Sequence, residues 1–208
     1  MSPRVVVLDY GSGNLRSACR ALETTGAEVT LTADIAVAEA ADGLVVPGVG
    51  AYASCMAGLR GIGGDEVVRA RAAAGRPVLG ICVGFQVLFD EGHEHGVRTA
   101  GCGVLPGMVE RLTARRLPHM GWNTVAPPAD SVLFDRVAQQ WFYFVHSYGV
   151  HAPAGTDGRV AATWTEHEDD RFVAAVEQGC VSGTQFHPEK SGRAGLALLG
   201  NWVGSLQR

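Results

Sequence analysis

The chain has 208 residues, 47% of them hydrophobic and 18% charged, with a formal net charge of −4 and a pI near 5.9. That is enough apolar material for one substantial core, so a single domain over 1–208 is expected. An acidic balance with arginines scattered singly, apart from Arg115-Arg116, offers no basic field to nucleic acid or anionic lipid, and no apolar run approaches the length of a membrane span. With only Val5–Leu8 as an apolar run before Asp9, too short for a signal-peptide core, a soluble cytoplasmic protein is expected.

The first strand is expected over 4–10, RVVVLDY. GSGN (11–14) follows it and invites a dinucleotide reading, but the third glycine position is Arg16, so an interface or active-site loop is preferred. In LRSACRALETTG, the positions of Leu15, Ala18, Cys19 and Leu22 form a helical stripe. Further short β-rich runs fall at 28–32, 43–48 and 76–82, alternating with helical stretches. Such alternation predicts an α/β fold, with a mostly parallel sheet covered by helices on both faces.

Cys82 ends the strand candidate RPVLGIC, and VGFQVLF continues with the spacing of a buried helix through Phe85, Leu88 and Phe89. A nucleophile at a sharp strand-to-helix turn needs small residues two positions to either side, here Gly80 and Gly84. The helix N-terminus would favour thiolate, and the Val83 N–H would point where an oxyanion forms. A buried cysteine between two helix-packing glycines would read the same way. The other cysteines, 19, 55, 102 and 180, include no C-x-x-C pair and are read as free thiols, with Cys19 and Cys180 as small hydrophobes.

After about residue 100 the rhythm becomes β-rich: GMVERL, WFYFVHSYGV, RVAATWT, RFVAAVEQ and CVSGTQF suggest antiparallel pairs, and APPAD (126–130) reads as a proline-stiffened loop. A final helix is expected in AGLALLGNWVGSLQR, through Leu196, Leu199, Val203 and Leu206. A thiol nucleophile needs a base, and the base needs an orienting group. His93 and His95, in the glycine-bounded polar loop DEGHEHG, lack a third ligand at metal spacing, so no metal is expected; His151 and His167 read as solvated, while His119 and His146 remain open. His187 in GTQFHPEKSG follows an apolar strand, precedes a proline and has Glu189 two residues on, so an extended H-x-E segment would put both side chains on one side. A solvated turn with an ordinary His and Glu is the alternative.

Gly80-Ile81-Cys82-Val83-Gly84-Phe85-Gln86 together with His187-Pro188-Glu189 resembles the class I glutamine amidotransferases, whose motifs are G-x-C-x-G-x-Q and H-P-E. Phe85 stands where that family usually has Leu or Met. VVVLDYGSGNLRS, Pro47-Gly48-Val49-Gly50, LPHMGWN and FVHSYGV narrow the resemblance, along almost the full chain, to the glutaminase subunits of imidazole glycerol phosphate synthase. The resemblance implies the class I amidotransferase, flavodoxin-like fold and a Cys82-His187-Glu189 triad hydrolysing L-glutamine. It also implies an oxyanion hole from Val83 and from Val49 or Gly50, and glutamine contacts from Gly50, Gln86, Ser147 and Tyr148. No cofactor is implied. Ammonia would pass to a separate (β/α)₈-barrel cyclase subunit that makes imidazole glycerol phosphate and aminoimidazole carboxamide ribotide in histidine biosynthesis. Asn14, Trp122, Asn123 and Lys190 are expected to face or couple to that partner. Lys190 is the only lysine among seventeen basic residues, a point charge suited to an ion pair across the interface, or else a solvated surface lysine. The alternatives are a class I glutaminase for another synthase, such as that of the pyridoxal phosphate pathway, and a non-catalytic thiol-sensing or interaction protein of the same fold.

Overall fold

The computed structural model describes residues 2–152 and 160–206. Its first half alternates β1 (Arg4–Leu8), α1 (Leu15–Glu23), β2 (Glu28–Thr32), α2 (Ile35–Ala40), β3 (Gly43–Gly48), α3 (Tyr52–Gly61), α4 (Gly64–Ala73) and β4 (Val78–Cys82). β3 and β4 are buried along their whole length, as near-continuous apolar strands between helix layers must be. The chain continues with α5 (Val83–Gln86), β5 (Phe89–Glu94), β6 (Val97–Ala100), β7 (Leu105–Arg111), β8 (His119–Thr124), β9 (Trp141–His146) and β10 (Tyr148–Gly149). After these come β11 (Ala161–His167), β12 (Asp170–Gln178), β13 (Val181–Thr184), one 3-10 turn at Pro188–Lys190, and α6 (Gly192–Ser205).

Seven strands form the central sheet in the order β11-β12-β13-β4-β3-β1-β2. β2, β1, β3, β4 and β13 run parallel, and β12 and β11 add an antiparallel edge. This is the α/β, mostly parallel sheet that the alternation predicts. A four-stranded sheet, β10-β7-β5-β6, and the β8-β9 hairpin complete the β-rich half. The register pairs Gly48 with Cys82 and Thr184 with Ile81. The loops after β1, β3, β4 and β13 therefore emerge together at the carboxyl edge of the sheet, where open α/β folds place their ligands.

Three expectations are corrected. The helix after Cys82 is a single turn ending at Gln86; Val87 and Leu88 close it as a turn, and Phe89 opens a strand, with Leu88 and Phe89 both buried. DEGHEHG is for the most part β5 rather than a loop; its Gly92 lies against the Tyr52 ring, where any Cβ would stand 2.7 Å from ring carbons. CVSGTQF contains β13, which pairs antiparallel with β12 as expected and joins the parallel part of the sheet through β4. The buried stripe of α6 is Gly195, Leu198, Leu199, Trp202 and Val203, while Leu196 is exposed. Trp202 and Leu206 both lie against Gly43 of β3, so of the expected stripe only Leu196 turns outward.

Candidate active site

Cys82 closes β4 with φ 56° and ψ −114°. A non-glycine residue held there stores about 1–3 kcal/mol of backbone strain and persists only where its surroundings enforce it. They do so by close packing of backbone on backbone. A Cβ on Gly84 would lie 1.9 Å from the Val46 carbonyl oxygen, one on Gly80 2.6 Å from the Gly84 oxygen, and one on Gly48 2.4 Å from the Gly84 nitrogen. The glycines flanking Cys82 thus let the elbow approach β3. Phe85 extends over β13, where Gly183 leaves room for its ring: a Cβ there would be 2.1 Å from the ring edge. α5 has only four residues, so it contributes little of an extended helix dipole at the thiol.

His187 follows β13, is 2% exposed, and is fixed by its own N–H to the Tyr143 carbonyl at 2.9 Å and by the Ser191 hydroxyl, which donates to its carbonyl at 2.7 Å. Its Nδ1 lies 2.8 Å from Glu189 Oε1, and both side chains are 2% exposed. The segment is not extended as the H-x-E reading supposed; Pro188 starts a 3-10 turn, and the contact forms across it. Burial opposes protonation of His187, but the Cys82 side chain and then the Glu189 carboxylate outweigh it and raise the imidazole to about 9. The structure thus places Cys82 and His187 on one cavity, with Glu189 bonded to the imidazole, an arrangement suited to a thiolate-imidazolium pair oriented by a carboxylate.

In the Pro47–Gly50 loop, Gly50 adopts φ 88°. The Val49 N–H donates to Ser12 Oγ at 3.1 Å, the Ser12 hydroxyl donates to the Val49 carbonyl at 2.8 Å, and the Cys55 thiol also reaches that carbonyl at 3.3 Å. In this conformation Val49 therefore does not offer its N–H to the cavity. Among the described residues the Gly50 N–H has no hydrogen-bond partner. The GSGN loop, through Ser12, thus holds the Val49 peptide.

A cavity of about 670 Å³ opens in front of the thiol, lined by Val49, Gly50, Val83, Gln86, Ser147, Tyr148, His187 and Lys190 among others. Gln86 is 3% exposed, and its Nε2 donates to the Tyr148 carbonyl at 2.8 Å and to Gln185 Oε1 at 2.9 Å. Its donors are thus used within the protein, which leaves its oxygen for a ligand. Two residues went unrecognised in the sequence. Glu94 lines the cavity as a carboxylate, its Oε2 accepting from the Tyr52 N–H, but it was hidden in a segment read as a polar loop. Gln185, 1% exposed, reaches within 3.9 Å of Cys82 Sγ; a polar residue between Thr184 and Phe186 in an apolar run was the available signal.

His146 also lines the cavity, with Nδ1 2.8 Å from the Tyr148 carbonyl and Nε2 3.1 Å from His119 Nδ1. Burial lowers His119 to about 4 and His146 to about 3, so both are neutral imidazoles. The two histidines read as solvated are engaged instead: His151 meets Asp170 Oδ1 at 2.9 Å, and His167 stacks on His119 with ring centres 4.3 Å apart. His93 and His95 lie near Glu91 and Glu94, and among the described residues no group of three potential ligands could hold a metal ion.

Of the residues expected at a partner interface, Asn14 precedes α1, Lys190 is exposed at the cavity rim, and Trp122 is 53% exposed on β8. Asn123 turns to the opposite face of β8 and donates to the Glu166 carbonyl at 2.8 Å, as strand alternation requires.

Residues 6–203 match the glutamine amidotransferase class-I family. The chain is 59% identical over 205 residues to the imidazole glycerol phosphate synthase subunit HisH of Corynebacterium diphtheriae, covering 96% of this chain and 98% of that one. It is 61% identical over 203 residues to the protein of the same name from Mycolicibacterium paratuberculosis, at 97% and 98% coverage. Similar solved folds include a glutamine amidotransferase crystal structure, with TM-score 0.75, 23% identity and coverage of 96% and 98%. PurLQS from Thermotoga maritima superposes with TM-score 0.78 at 20% identity, covering 99% of this chain and all of that one. Coverage from end to end at these identities, on a fold with this elbow, places the chain in the class-I glutamine amidotransferase family, among the HisH subunits of imidazole glycerol phosphate synthase.

Proposed function

We propose that the chain is the glutaminase subunit of imidazole glycerol phosphate synthase, hydrolysing L-glutamine and delivering ammonia to a (β/α)₈-barrel cyclase subunit. The observation that carries this reading is the strained Cys82 elbow beside the buried His187–Glu189 pair, in a chain this similar to HisH subunits. Cys82 thiolate attacks the substrate carboxamide carbon, and the oxyanion is received by backbone N–H groups at Val83 and Gly50. The C–N bond then breaks as His187 gives its proton to the leaving ammonia, which leaves a glutamyl thioester on Cys82. His187 takes a proton from water, hydroxide adds to the thioester, and glutamate departs as the thiolate re-forms. Glu189 holds the imidazole through Nδ1 in both steps. Gln86, Glu94, Ser147 and Tyr148 line the space for the amino-acid end of the substrate; the Glu94 carboxylate suits an α-ammonium.

Free ammonia in neutral water is mostly ammonium and non-nucleophilic, so the product needs a dry route to the partner. In this reading the partner docks on the side that carries Trp122 and Lys190, whose exposure leaves them free for such contacts. The test is synthesis by the assembled complex. Cys82→Ala abolishes glutamine-dependent formation of imidazole glycerol phosphate and leaves ammonia-dependent formation intact. Loss of both would mean that the cysteine supports assembly instead.

A further inference from the structure

An unbroken line of hydrogen bonds runs from β8 to the thiol, and backbone carbonyls fix its direction. The Glu166 carbonyl accepts from Asn123 Nδ2 at 2.8 Å, and that same amide nitrogen lies 3.3 Å from His119 Nε2, which must therefore be the accepting nitrogen. His119 Nδ1 then carries the proton and donates to His146 Nε2 at 3.1 Å. His146 Nδ1–H donates to the Tyr148 carbonyl at 2.8 Å, the same oxygen that takes Gln86 Nε2 at 2.8 Å. Because a carbonyl only accepts, the Gln86 nitrogen must face it. Gln86 then donates at 2.9 Å to the oxygen of Gln185, which turns the Gln185 nitrogen toward Cys82 Sγ at 3.9 Å. Every donor in this line meets an acceptor. Reversing any one carboxamide or tautomer would set two donors or two acceptors against each other in a buried setting, where an unmatched polar group is costly.

We infer that His146 and His119 are positioning residues for the glutaminase reaction: as neutral imidazoles they hold the Tyr148 carbonyl in place, and that oxygen in turn sets where the Gln86 and Gln185 carboxamides meet the cavity. Gln86 then offers an oxygen to the N–H groups of the substrate, and Gln185 an N–H to the sulfur. This rests on the proposed glutaminase function. It also gives Asn123 a role at the outer end of the line, next to the exposed Trp122 on the same strand.

The test uses the chain assembled with its cyclase and compares two replacements that place a donor differently. His146→Asn carries an amide N–H where Nδ1 was, and His146→Gln carries it where Nε2 was. With one hydrogen bond in the line lost, His146→Gln lowers kcat/KM for glutamine about tenfold, whereas His146→Asn stays within about threefold. Ammonia-dependent synthesis is unchanged in both. Asn123→Ala, on a half-buried strand position, gives a smaller loss, and Asn123→Ala combined with His146→Gln costs no more than His146→Gln alone, because both break one line. Equal losses for the two His146 replacements, losses that follow melting temperature rather than donor position, or strictly additive losses in the double variant would overturn the inference. Should His146 variants fail to fold, wild-type kinetics in Asn123→Ala would overturn it alone. If the unmodified complex makes no product from glutamine, it is the function reading that fails.

Discussion

Replacing Cys82 with alanine has a measurable consequence at His187 before any turnover. The imidazole is 2% exposed, so burial alone would hold it below its ordinary value. Instead it rises from 6.5 to about 9, a preference of a few kcal/mol for imidazolium. The side chain of Cys82 contributes more to that rise than Glu189 does, while burial persists in the variant. Removing the sulfur should therefore lower the titration midpoint of His187 by more than about one pH unit, equivalent to about 1.4 kcal/mol. Nuclear magnetic resonance of the protein labelled with ¹⁵N-histidine reads the midpoint directly, with His187→Gln assigning the resonance. Removing the charge with Glu189→Gln should give a smaller fall. An unchanged His187 midpoint in Cys82→Ala would refute the thiolate-imidazolium pair.

Ser12→Ala removes the acceptor of the Val49 N–H and should raise glutamine hydrolysis by the isolated chain several-fold; unaltered basal hydrolysis would mean that this contact does not restrain the loop. Gly84→Ala would put its Cβ 1.9 Å from the Val46 oxygen, a clash of backbone with backbone, and should cost about 3 kcal/mol or more together with activity. Gly200→Ala in α6 meets nothing within 4 Å and should stabilise by about 1 kcal/mol, so denaturant titration of the two separates crowding from composition. Acid should destabilise the fold through His119 and His146. Their folded values lie near 4 and 3, below the ordinary 6.5, so the unfolded chain binds more protons below 6.5 and stability falls as pH drops through that range. Between pH 6.5 and 5 each neutral histidine costs about 2 kcal/mol; urea unfolding at pH 7 and pH 5 checks this, and equal stabilities would contradict it.

Much of the site was legible because its chemistry sits in contiguous motifs. Gly80, Cys82 and Gly84 fitted an elbow and His187 with Glu189 a base and its orienter; each spacing alone left a structural alternative open, the H-x-E contact forms across a 3-10 turn rather than an extended segment, and only the two motifs together carried the resemblance. Residues whose roles depend on packing between distant elements were not legible. Glu94 reaches the cavity only because β5 starts as soon as α5 ends, and no periodicity in FDEGHE marked that change. Ser12 matters through a contact 37 residues away. His119 and His146 become meaningful only once β8 and β9 pair them in register. The sheet was readable for a related reason: β1, β3 and β4 are buried on both faces and so appear as uninterrupted apolar runs, whereas in α6 the expected stripe held at Leu199, Val203 and Leu206 but missed Trp202, which packs beside Gly43, and wrongly included Leu196.

The central claim is that Cys82 carries the glutamyl group. The direct measurement is acid quenching of the complex during turnover of isotopically labelled glutamine, followed by peptide mapping by mass spectrometry. The account predicts label on the peptide containing Cys82, sensitive to hydroxylamine as a thioester is, and absent from Cys82→Ala. Label on another residue, or turnover of glutamine that persists in Cys82→Ala, would contradict it.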